Sequence, residues 1–119
     1  IHSDMAPLEA IRHYLEAANV AVAGTTEAFA RDLATLPAGQ RLSDQHSDYL
    51  VAVTRRLLDL AVERGDIDDV DTAAVARVTA SLGRDLSRPD VFTTLRSTPK
   101  EAADAVLDLV LSGLTAHRA

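Results

Sequence analysis

Apolar residues recur along almost the whole chain at spacings of three and four, and no stretch alternates apolar with polar for long enough to make a strand. At about 100° per residue that spacing puts the apolar side chains of each segment on one face of a helix. The chain therefore has to build its core from helices packed on helices. The apolar mass, 47% of residues, is carried mainly by Ala, Leu and Val, with only 3% aromatics, which agrees with helical and not strand propensity.

Five helical segments are expected. Residues 8–23 align Leu8, Ile11, Leu15, Ala18 and Val22, with Glu9, His13 and Glu16 opposite; Pro7 stands at the start and Gly24 after the end. Residues 26–36 place Phe29, Leu33 and Leu36 on one side, and the run Leu36 to Gly39 is expected to break that helix. A long helix from about Ser43 to Arg64 lines up Leu50, Val53, Leu57, Leu58 and Ala61, and Gly65 stops it. Asp71 or Thr72 caps a fourth, running to about Ser87 on a Val75, Val78, Leu82, Leu86 stripe. Thr98, Pro99 and Glu101 form a capping box that opens the last, to about Ala116. No linker or internal repeat divides residues 1–119, so an all-α, five-helix, bundle-like single domain is expected.

The last segment carries more apolar surface than one side of contact requires. Its Ala, Val and Leu side chains cover an arc of roughly 240°, where a helix on the surface of a monomer needs little over ~100°. Beside the stripe of the fourth segment lies a face of small residues, over which another helix can approach closely. Together these features predict a homodimer in which the last two long helices pack against their symmetry mates; the alternative is that both surfaces are buried within one subunit. The interface would be drawn from Ala76, Ala80, Gly83, Ala103, Leu107, Leu111 and Leu114.

Composition and motifs narrow the function classes. Twelve Lys and Arg stand against eighteen Asp and Glu, a formal charge of -6, which disfavours direct binding to nucleic acid by this chain. Without cysteine there is neither disulfide nor thiolate chemistry. No run reaches the ~18 to 20 apolar residues of a membrane span, and Ile1 to Pro7 do not read as a signal peptide, so a cytoplasmic location is expected. The glycines form no phosphate-binding loop, and the four histidines have no metal-ligand spacing; His13 with Glu9 and Glu16 reads as solvated surface. The acidic stretch Asp66 to Asp71 lacks the calcium-loop pattern and reads as a turn leading into a helix cap. No nucleophile, base and acid can be assembled, so the chain is read as non-enzymatic, with no cofactor and no metal.

A sparse set of polar and aromatic side chains falls on or beside the apolar faces: Tyr14, Asn19, Phe29, His46, Thr54 and Thr79, with Phe92 in the loop before the last helix. An apolar cavity with a few converging polar groups is what a small-molecule site requires, and these residues are its candidate lining. The alternative is a fully packed core in which helical threonines bond their own backbone.

The order of these pieces resembles a known family. The opening Met5 to Leu15, the turn Glu63, Arg64, Gly65, Asp66, Ile67, the segment Asp71 to Val78 and the closing Thr98 to Leu114 resemble, across almost the whole chain, the C-terminal domain of TetR-family transcriptional regulators. That resemblance implies an effector-sensing and homodimerisation domain whose last two long helices form a four-helix bundle with their symmetry mates, with operator DNA bound by an N-terminal helix-turn-helix head. No such head precedes Ile1, so this chain by itself is expected to dimerise and bind a small, mainly apolar effector without gripping DNA. The competing expectation is a helical dimerisation module that takes no ligand.

Overall fold

The computed structural model describes residues 5–23 and 35–116, and every regular element among them is helical. The helices are α1 (Pro7–Ala23), α2 (Pro37–Glu63), α3 (Thr72–Ala80), α4 (Leu82–Leu86), α5 (Pro89–Phe92) and α6 (Pro99–Ala116). The all-α expectation holds. The expected helix over 26–36, and Phe29 with it, lies almost entirely outside the described residues.

Local chemistry explains most boundaries. Pro7 opens α1, and the Ala10 N–H donates to the Ala6 carbonyl. At the end of α2, Gly65 takes a positive φ of 74°, the Gly65 N–H donates to Val62 O at 3.0 Å, and the Asp66 N–H donates to Ala61 O at 2.9 Å. This Schellman turn reverses the chain and drops Ile67 into the core. The Asp71 carboxylate caps α3 by accepting from the Ala74 N–H. At α6 the Glu101 N–H donates to the Thr98 hydroxyl, which itself donates to the Glu101 carboxylate, so the capping box is present.

Two boundaries differ from expectation. The break expected over Leu36 to Gly39 is confined to Leu36: Thr35 is still helical, and Pro37, which without an N–H is suited to a first helical position, opens α2 at once, with the Gln40 N–H donating to Leu36 O at 2.9 Å. The helix thus starts six residues before Ser43. The fourth expected helix is interrupted at Ser81, giving α3 and α4 where one long helix was expected. There the Ser81 hydroxyl donates to Arg77 O at 2.7 Å, two residues after Thr79 does the same to Val75 O, and such back-bonding competes with and bends the helical ladder.

α1 packs against both α2 and α6; α3 lies on α2; α4 sits between α6 and α1. The shared core is Ile11 and Leu15 of α1, Leu58 and Ala61 of α2, Ile67, Ala76 of α3, and Leu107 and Leu111 of α6. Outside it the first half of α2 runs along the surface, with Leu42, His46 and Tyr49 exposed. Arg84 of α4 ties that half down through Ser47 Oγ at 2.9 Å and Asp44 at 3.7 Å.

Candidate functional site

The face that α3 and α4 turn inward is rotated from the one expected. Ala76, Thr79 and Gly83 are buried, while Val78 of the expected stripe is exposed. The cause is the close approach of α1 to α4. A Cβ on Gly83 would meet Asn19 Oδ1 at 2.4 Å, so only a residue without one lets the two helices come this near. The small-residue face is therefore used within the protomer.

Asn19, buried at that crossing, also donates through Nδ2 to Asp104 Oδ1 of α6 at 2.8 Å. Lys100 holds the other Asp104 oxygen, and this hydrogen bond, ahead of the charge of Asp104 and its neighbours, raises the ammonium above its ordinary value against a smaller lowering by desolvation. One turn further along α6, Asp108 pairs with Arg12, which lies two turns before Asn19 on α1. Asn19 is thus a three-helix junction, satisfied by its own chain. Asp104, the residue that satisfies it, carries no signal in the sequence beyond its place among the polar residues of the last helix.

The other candidate ligand residues scatter. Tyr14 is half-buried at the edge of the core, and burial, followed by the neighbouring Tyr49, pushes its phenol above the ordinary range. His46 is exposed in the first half of α2, one turn before the buried Leu50 on the same helix face. Thr79 is buried with its hydroxyl on Val75 O. Phe92 lies in the short α5. Thr54 is different: it is 0% exposed, and its Oγ1 is the buried side-chain oxygen without a hydrogen-bond partner among the described residues.

The α6 residues expected at an interface turn inward within the protomer. Ala103, Leu107 and Leu111 face the core, Leu107 only 1% exposed, and Leu114 packs against the same cluster. With Ala76 and Gly83 also buried and Ala80 packed against the core, these residues are the interior of one protomer. The 240° arc divides: its inner part packs on α1 and α4, and its outer part is left open. On that outer part Ala105, Val106 and Leu109 are exposed, Leu109 at 71%, with Ala102 and Gly113 completing a stripe at helical spacing. Nothing lies within 4 Å of where a Cβ on Gly113 would stand.

Two open surface grooves lie between the described helices. One, between the start of α1 and the end of α6, is lined by Leu8, Glu9, Arg12, Leu111, Ser112 and Thr115. The other runs between α2 and α3, with Val51 and Ala52 as its floor and Asp48, Arg55, Arg56, Asp59 and Arg77 around it. Neither is lined by a candidate ligand residue. Glu9 and His13 lie 3.9 Å apart on the exposed side of α1, and the described residues hold no cluster of three potential metal ligands. No described helix is long and apolar enough to cross a membrane.

Comparison with protein-family models, with curated proteins and with solved structures returns no match to this chain.

Proposed function

We propose that this chain is the effector-sensing and dimerisation domain of a TetR-like transcriptional regulator, and that it works as a homodimer through the outer face of α6. The observation that carries the reading is the stripe Ala102, Ala105, Val106, Leu109, Gly113 on a helix whose opposite side is already fully used by the core. An apolar strip of this kind on a helix at the domain edge is what a symmetric helix pairing requires, and a small residue at Gly113 leaves room for close approach. In this reading α6 meets its mate through Val106 and Leu109, not through Leu107 and Leu111. DNA contact belongs to a separate N-terminal head, in keeping with the acidic charge of this chain. The effector part of the reading rests on Thr54, whose buried hydroxyl lacks a partner; a polar group of a mainly apolar ligand would supply one.

The test is a pair of charge substitutions read by analytical ultracentrifugation and circular dichroism. Leu109→Glu is expected to give a folded monomer, because its side chain is exposed in the protomer. Leu107→Glu is expected to unfold the chain, because it buries a carboxylate in the core. A wild-type chain that stays monomeric at high micromolar concentration overturns the proposal.

A further inference from the structure

The groove between α2 and α3 collects three guanidinium groups in a chain that is acidic overall. Asp48, Ala52, Arg55, Arg56 and Asp59 follow one another along one side of α2, and Arg77 closes the groove from α3. Arg55 and Asp59 are four residues apart, a spacing at which helical ion pairs form. No such pair is made. Asp59 is instead engaged by Thr72, whose hydroxyl donates to Asp59 Oδ1 at 2.6 Å from the first turn of α3. Among the described residues none of Arg55, Arg56 and Arg77 has a hydrogen bond or ion pair, while Arg12, Arg64, Arg84 and Arg88 each have a carboxylate partner.

Three guanidiniums against two carboxylates leave one positive charge in excess at the groove. Val51 is half-buried and Ala52 exposed, so the floor between the charges is apolar. Planar guanidinium forks are the side chains best matched to a carboxylate, which they bind with two parallel hydrogen bonds. We propose that this groove binds the carboxylate of a small organic acid, with Arg55, Arg56 and Arg77 holding the head group and Val51 and Ala52 receiving its apolar body. Thr72 engages Oδ1 of Asp59 from α3, and Asp59 pairs with none of the three arginines. The groove shares no residue with the outer stripe of α6, so this proposal stands or falls independently of dimerisation.

The experiment follows the arginine side-chain Nε–H signals of the full chain by NMR while octanoate, and separately inorganic phosphate, is titrated at low salt. Octanoate is expected to shift Arg55, Arg56 and Arg77 saturably. Arg77→Gln is expected to weaken that binding by about tenfold, the loss of one charge-assisted pair. Arg77→Lys should fall between, keeping the charge but losing the fork. Arg96→Gln, exposed and outside the groove, should leave binding unchanged. Circular dichroism checks that each variant keeps its helices. The proposal is overturned if octanoate causes no saturable shift, if phosphate alone binds, or if Arg96→Gln weakens octanoate as much as Arg77→Gln does.

Discussion

Thr54 and Tyr14 show how much a single side chain owes to surroundings that its neighbours in sequence do not reveal. Both lie on or beside apolar helix faces, and on that ground alone both resemble ligand contacts. In the fold one is sealed with an unpartnered hydroxyl, and the other is a half-buried phenol beside Tyr49. A buried donor without an acceptor costs about 1–3 kcal/mol. Thr54→Val, which keeps the shape and deletes the hydroxyl, is therefore expected to stabilise the ligand-free chain by about 1 kcal/mol in urea denaturation; a loss of stability would mean that the hydroxyl has a partner. For Tyr14 the raised pKa means the fold favours the protonated phenol. Its contribution to stability is complete below the unfolded value of 10.0 and is lost as pH rises through the higher folded value. The chain has two tyrosines, so Tyr49→Phe leaves Tyr14 as the one phenol that titrates. Its phenolate absorbance is expected to rise at higher pH in the folded chain than in urea. Coincident curves would contradict the burial.

At the scale of elements, periodicity and capping chemistry placed the helices and the inward faces of α1 and α2 well, but not the face that α3 and α4 turn inward. The Asp71 cap, the Gly65 turn and the Thr98–Glu101 box are set by residues within five positions of one another, and all three form. The orientation of α3 and α4 is not local. It is decided by the contact of Gly83 with Asn19, sixty-four residues away in the chain. Alanine is ordinarily the better helix residue by about 1 kcal/mol, yet Gly83→Ala is expected to destabilise the fold by about 1–3 kcal/mol through overpacking against an asparagine that Asp104 holds in place. Combining it with Asn19→Ala should recover part of the loss, a non-additivity that a double-mutant cycle measures. A Gly83→Ala chain as stable as wild type would show that Asn19 yields.

The protein as a whole extends 45 × 31 × 25 Å, and α6 presents its outer stripe at the surface. If α6 pairs with a second copy, folding and association are linked, and the melting temperature should climb with protein concentration. Leu109→Glu should abolish that dependence. A midpoint that does not move over a hundredfold dilution range of wild type would argue that the stripe has no mate.

From its sequence alone the chain is committed to helices, to their end signals and to the apolar excess of its last segment, because these depend on periodicity and on hydrogen bonds between near neighbours. Tertiary structure decided how that excess is divided. Leu107 and Leu111 lie on the same helix as Leu109 and are chemically identical to it, and only the placement of α1 and α4 makes two of them core and one of them surface. The same is true of the arginine groove. Arg55 and Arg56 are visible as an outward face of α2, but that Arg77 faces them and that Thr72 engages Asp59 follow from how α3 lies on α2. Contacts between residues far apart in sequence depend on the packing of whole helices, and no spacing along one segment encodes them.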